Sequence, residues 1–186
     1  VLLMLILTML VSILLGMGLP TPAAYVICVS VVSSPLTAAG LPLLLVHMFV
    51  FYFSIMAVIT PPVALASYTA AGIAGANANQ VGWTAVRLGI LAFIVPYMFV
   101  FGPALLLEGP ALEIIWAIIT AVFGVVVMGH AMEAYLMGDL SLWKRGILII
   151  ASLCTILQGA ATDFIGFILF FVIYAVQYSK LRRAKH

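Results

Sequence analysis

Along this chain, apolar runs follow one another and are separated first by Gly and Pro and only late by charge. Val1 to Leu15 is apolar and ends at Gly16. Pro20 to Ser34 is a second short run, closed by Pro35. Joined by a Gly/Pro turn, the two predict a re-entrant helical hairpin with its tip at Gly16 to Pro22. Pro42 to Ile59 is helical in character, rich in aromatics, and breaks at Thr60-Pro61-Pro62. Its second half, Val63 to Ala76, is largely Ala, Ser, Thr and Gly, small residues that let helices approach closely in a membrane. Asn77 to Trp83 predicts a polar interfacial turn. Leu88 to Leu107 predicts a full span, bent where Pro96 removes a helix donor. Glu108-Gly109-Pro110 reads as a loop, Leu112 to Met128 as a span, and Glu133 to Arg145 as a loop. Gly146 to Tyr178 would run roughly 50 Å as one helix. Its polar break at Gly159 to Asp163 predicts two short helices meeting there.

The two interruptions matter most. Backbone that leaves the helix at membrane depth exposes N–H and C=O groups that protein or a water-filled cavity must satisfy. Paired breaks of this kind point to an ion and substrate site in a secondary transporter. In Gly16-Met17-Gly18-Leu19-Pro20-Thr21-Pro22, the glycines permit conformations other residues resist, the prolines remove donors, and Thr21 adds a hydroxyl. Bare carbonyls and hydroxyls suit a hard cation, and a helix start suits an anionic group. In Ile59-Thr60-Pro61-Pro62, two prolines end the preceding helix, freeing carbonyls beside the Thr60 hydroxyl. An ordinary loop at the first break and a simple proline kink at the second are the competing readings. Their pairing favours a site.

Composition fixes the class. The chain is 67% hydrophobic and 6% charged, against about 25% charged in a soluble domain. Such a chain cannot cover a soluble surface; it is an all-α integral membrane protein. It opens Val1-Leu2-Leu3 in mid-hydrophobe with no basic flank, which reads as a cut inside a longer polypeptide rather than a signal peptide. Cys28 and Cys154 both lie in apolar runs and read as small buried hydrophobes.

Charge orients the chain. If Gly146 to Tyr178 enters and returns, then Arg87, Lys144, Arg145, Lys180, Arg182, Arg183 and Lys185, all seven basic residues, fall on one side, opposite Glu108 and Glu113. Basic loops stay cytoplasmic, so the tail from Lys180 to His186 is expected in the cytoplasm, anchored to lipid headgroups. It is not a nucleic-acid patch. His47 reads as a packed, hydrogen-bonded histidine. His130 and Glu133, three apart on one helix face, read as an interfacial pair. Arg87 near Trp83 reads as an interface anchor. Asp163, an acid at membrane depth, is a functional candidate by default, but as the cap of a helix beginning at Phe164 it has a bland role, and that reading is favoured.

The stretches GMGLPTPAAYV, FVFYFSIMAVITPPVALASYTAAGIAG and RLGILAFIVPYMFVFGPALL resemble the C-terminal half of the large membrane subunit of TRAP transporters (tripartite ATP-independent periplasmic transporters, DctM-type). The likeness is greatest to fused permeases of the DctQM/TAXI type, which carry a C-terminal membrane extension with Thr-Asp after a Gly-containing break, here Gly159-Ala160-Ala161-Thr162-Asp163. The resemblance covers Val1 to Leu107 as transport domain, with 108–186 as extension. It implies the C-terminal repeat of an elevator-type, sodium-coupled importer in the bacterial or archaeal inner membrane. A periplasmic substrate-binding protein delivers a small organic anion. By the same resemblance, Gly16, Met17, Gly18, Thr21, Thr60 and Pro61 hold the coupling sodium, Pro20, Thr21 and Pro22 face the substrate, and the matching half-site lies upstream of Val1. No other cofactor is implied. The rivals are an intramembrane enzyme, for which no nucleophile–base pair is evident, and a structural membrane subunit, which has no reason to unwind two helices at depth.

Overall fold

The computed structural model describes residues 1–157 and 159–184. It is helical throughout, in the order α1 (Leu2–Gly16), α2 (Thr21–Ala38), α3 (Leu43–Met56), α4 (Leu65–Ala74), α5 (Ala78–Leu88), α6 (Ile90–Phe101), a 3-10 turn at Pro103–Leu106, α7 (Ala111–Met132), α8 (Leu142–Ile156) and α9 (Ala160–Ala184). Among the described residues, four stretches are long and apolar enough to cross a bilayer: Thr21–Ala38, Ala78–Phe101, Ala111–Met132 and Ala160–Lys180. Large apolar side chains stand exposed along whole helix faces, as with Leu3, Leu7, Leu10 and Leu14 on α1 and Ile115, Ile119, Val122 and Val126 on α7. In water such faces would drive aggregation; in lipid they meet their own solvent.

Two compact units divide the chain, Val1–Tyr97 and Met98–His186. In the first, α1, α2 and α3 pack against one another, and α4 packs on α5. Leu5, Ala24, Cys28, Val46, Phe49 and Phe53 are buried there. The rings of Phe49 and Tyr97 meet edge to face at 5.2 Å, a favoured quadrupole arrangement. Where the re-entrant hairpin is expected, α1 and α2 are joined by a short turn. Gly18 takes φ +79° in that turn, a conformation glycine adopts without steric cost. Pro20 caps α2 and Pro22 sits in its first turn, where no backbone donor is needed.

Several predicted boundaries move. Pro35 does not close α2; the helix runs through it to Ala38. Just beyond it, the Thr37 hydroxyl bonds back to the carbonyl of Ser33 at 2.8 Å, the usual way a threonine satisfies its hydroxyl inside a helix. Asn77 to Trp83 is not a turn. Asn77 is an N-cap whose side-chain oxygen accepts from Gln80 N–H at 3.1 Å, so the helix starts at Ala78. The span predicted at Leu88 to Leu107 shifts accordingly to Ala78–Phe101.

The second unit is a three-helix bundle with α8 packed on both α7 and α9. Its core includes Val127, Ala131, Leu148, Ala151 and Ile173. Two glycines set the helix spacing. A Cβ on Gly124 would fall 2.6 Å from Thr155 Oγ1, and one on Gly166 would overlap Thr155 Cγ2 and reach 2.7 Å from the Ala151 carbonyl oxygen. Ser152 Oγ donates across this seam to the Gly124 carbonyl at 2.7 Å. The stretch Gly146 to Tyr178 is two helices, as predicted, but only α8 is short; α9 has 25 residues. Lys144 and Arg145 belong to α8, not to a loop. Lys144 is 2% exposed and donates to Gln177 Oε1 at 2.6 Å, while Arg145 Nε donates to the Ala131 carbonyl at 2.9 Å. Tertiary partners near the helix ends draw these charges out of the predicted loop. The start of α8 and the end of α9 therefore lie together. Lys185, His186 and the Arg183 side chain, parts of the predicted basic tail, lie outside the described residues.

Candidate functional site

The first unit brings the two sequence breaks together. α1 ends at Gly16 so close to the end of α3 that a Cβ there would lie 2.7 Å from Ala57 Cβ and 3.5 Å from the Ser54 carbonyl oxygen. One on Gly18 would lie 3.9 Å from Val63 Cγ1. These two contacts bracket Thr60-Pro61-Pro62. Glycine at position 16 is what permits the approach. Met17 and Thr21 are half-buried at the tip, and Gly18, Pro20 and Pro22 are exposed. Thr21 opens α2, with Pro20 before it and Pro22 after, so the positive end of α2 sits at this turn.

Across from the tip the chain is unwound between Met56 and Leu65. Thr60 Oγ1 donates to the Met56 carbonyl at 2.6 Å, which uses its proton and leaves its oxygen free to accept. The Pro61–Pro62 peptide is cis, and Ala64 lies in the left-handed region at φ +36°. That conformation costs a non-glycine residue about 1–3 kcal/mol and is held only where its surroundings fix it. Here they do: Ala64 is fully buried, Ala66 N–H bonds back to the Val58 carbonyl at 3.1 Å, and Ser67 Oγ donates to the Ile59 carbonyl at 3.3 Å. From the far side, Gly82 of α5 admits Pro61 and Tyr68; a Cβ there would be 3.1 Å from each.

The carbonyls of Met17, Gly18, Pro61 and Pro62 accept no backbone hydrogen bond among the described residues. Uncommitted carbonyls and two threonine hydroxyls make an oxygen-only set of candidate cation ligands, while the N-terminus of α2 beside them favours an anion. No group of three or more His, Cys, Asp or Glu suited to a metal exists among the described residues. Such donors match a weakly held hard cation rather than zinc or another transition metal. Ala57, Ser67, Tyr68 and Gly82 escaped the sequence reading; only Gly82, a glycine inside a helix, carried any local signal.

The other polar residues settle into simpler roles. His47 Nδ1 and Tyr25 Oη pair at 2.6 Å between α3 and α2, as expected of a packed histidine. His130 Nδ1 meets the Tyr135 carbonyl at 2.9 Å and closes the end of α7, rather than forming the expected pair with Glu133. Cys28 is buried, Cys154 partly so, and both are free thiols. Trp83 and Arg87 share an exposed face of α5.

Asp163 departs from the expected cap. α9 begins at Ala160, so Asp163 is inside its first turn and cannot cap a helix beginning at Phe164. Its Oδ2 instead accepts from Trp116 Nε1–H of α7 at 2.8 Å. It lines an open cleft of about 660 Å³ in the second unit, with Phe101, Glu108, Glu113, Trp116 and Thr120.

Lipid-facing helices, with two unwound segments packed against each other, define an integral membrane protein of the transporter class. Residues 1–114 match the family described as Tripartite ATP-independent periplasmic transporter, DctM component, and the chain belongs to that family. This is a family of transporter components, not of enzymes. No curated protein and no solved structure gave a significant match.

Proposed function

We propose that this chain carries the C-terminal half-site of a sodium-coupled TRAP permease that imports a small organic anion delivered by a periplasmic substrate-binding protein. Residues 1–107 form the transport part and 108–186 a C-terminal membrane extension of a fused permease. Sodium is held by carbonyls of Gly16, Met17, Gly18 and Pro61 and by the hydroxyls of Thr21 and Thr60. Pro20, Thr21 and Pro22 present the start of α2 to the substrate anion. The hairpin of α1 and α2 is re-entrant, and it moves with the unwound segment as one elevator body. The observation that supports this reading is the packing of Gly16 on Ala57, which brings the tip, with its uncommitted carbonyls, against the segment that carries the break.

Thr60 gives the direct test. Thr60→Val keeps the shape and deletes the oxygen. In proteoliposomes, the sodium concentration giving half-maximal uptake should rise about tenfold, the loss of one hydrogen-bond-strength contact to a charge. Unchanged sodium dependence removes Thr60 from the site.

Orientation follows from charge. In the second unit, Lys144 bonds to Gln177 near the C-terminal end of α9, which continues to Lys180 and Arg182, and Arg145 bonds to Ala131 at the end of α7. By the positive-inside tendency, that end and the C-terminus face the cytoplasm of a bacterial or archaeal inner membrane. A cysteine placed at Glu108 should react with an impermeant maleimide from the periplasm, and cysteines at Ser141 and Ser179 only after the membrane is opened. Periplasmic labelling at Ser179 alone would break the paired-helix topology.

A further inference from the structure

We infer that the cleft of the second unit is a binding site for a primary ammonium group, with Asp163 as its anchor. The starting point is an unsatisfied atom. Asp163 is 1% exposed, yet its Oδ1 has no hydrogen-bond partner among the described residues. Oδ2 is fixed by Trp116 Nε1–H at 2.8 Å. A buried carboxylate oxygen without a donor is costly and calls for a missing partner. Within a membrane-crossing stretch the cost is higher still.

The surroundings say what the partner is. Glu108 and Glu113 are the other charged residues on the cleft wall, and no Lys, Arg or His lines it among the described residues. The ligand is therefore a cation. The cleft, at about 660 Å³, is in the range of small-molecule sites and far too roomy to hold a bare metal ion by protein atoms alone. Its wall includes Trp116, Phe101 and Leu112, and an aromatic face attracts an organic ammonium. An ammonium offers three donors. One satisfies Asp163 Oδ1, and the others point toward the mouth, where Glu108 and Glu113 are exposed. The Thr120 hydroxyl is already committed to the carbonyls of Trp116 and Ala117. The ammonium can come from a free amine or from a phosphatidylethanolamine headgroup. The site is independent of the sodium reading of the first unit.

Trp116 reports on the test directly. The full permease, labelled with 5-fluorotryptophan, is placed in phosphatidylcholine nanodiscs, and the fluorine resonance lost in Trp116→Phe is that of Trp116. Titration with ethanolamine should shift it to saturation, while ethylene glycol and sodium chloride should not. In Asp163→Asn, which keeps an oxygen for Trp116 and removes the charge, the apparent affinity should fall about tenfold. If that variant fails to reach the membrane, Glu108→Gln with Glu113→Gln decides, because both side chains are exposed; affinity should weaken about threefold. In phosphatidylethanolamine nanodiscs, a resonance already at the bound position identifies the lipid headgroup as the source, and unchanged titration identifies a free amine. The inference is overturned by an absent saturating shift, by an equal response to ethylene glycol or sodium chloride, or by unchanged affinity in the deciding variant.

Discussion

Gly16→Val should abolish uptake in proteoliposomes while leaving the amount of permease in the membrane normal. The argument starts from one distance. Even the single carbon of alanine would stand 2.7 Å from Ala57 Cβ, against an optimal separation of about 3.5–4.0 Å between carbons. The tip must then retreat from the break by roughly 1 Å. Oxygen ligands hold hard cations within a few tenths of an ångström, so a retreat of that size would remove one side of the proposed cation site. Gly16→Ala should lower uptake about tenfold or more, since misplacement of this order is severe in preorganised sites. Valine is worse because its branched carbon cannot rotate away. The diagnostic result is rescue: Gly16→Ala combined with Ala57→Gly restores the gap and should recover uptake. Wild-type rates in Gly16→Ala, or no recovery in the double variant, would show that the close approach serves only packing. Gly18→Val should fail for a different reason, its φ of +79°, and Ala57→Gly should not rescue it.

What could be read from the sequence, and what could not, divides along physical lines. Both breaks were legible because Gly and Pro act through their own covalent structure: the turn at Gly18 and the unwinding before Pro61 need no distant partner to be foreseen. The meeting of those breaks was less legible. Ala57 carries no chemical signal, and its importance exists only because Gly16 is absent a side chain opposite it. Asn77 shows how one residue type serves two ends. As a turn former it suggested a loop, but its side chain reaches Gln80 N–H and starts α5. Lys144 and Asp163 show the limit of local reading for charge. A lysine between loop residues was expected in water, yet Gln177 holds it from 33 residues away. Asp163 had a plausible local role as a cap, but its partner Trp116 lies 47 residues distant. Long-range pairs such as these leave no periodic trace in a single sequence. By contrast, the lipid-facing character of α7 and α9 was plain from composition, because the bilayer imposes it residue by residue.

The second large effect is expected at the seam of the three-helix unit, where two glycines that look alike in the sequence should behave differently. Gly124 and Gly166 both face α8, but what stands opposite each differs. At Gly124 the nearest obstacle is a side-chain atom, Thr155 Oγ1 at 2.6 Å; at Gly166 it includes a backbone atom, the Ala151 carbonyl oxygen at 2.7 Å. A side chain can be trimmed, whereas a carbonyl in the middle of α8 moves only with its helix. Gly124→Ala and Gly166→Ala should each destabilise the unit, by about 1–3 kcal/mol for overpacking, with Gly166→Ala at the upper end. Thr155→Ala should rescue Gly124→Ala in part, since it removes the nearest obstacle and leaves Ile156 Cγ1 at 3.0 Å and the Ser152 carbonyl oxygen at 3.3 Å, which need only small shifts. The same substitution should leave Gly166→Ala impaired. Thermal unfolding of purified permease, followed by the reactivity of the partly buried Cys154 thiol, reads this out in the unit concerned. Equal rescue at both positions would mean that α8 shifts bodily to accept a methyl group on either side, and the seam would then be a tolerant contact rather than the element that fixes the spacing of α7, α8 and α9.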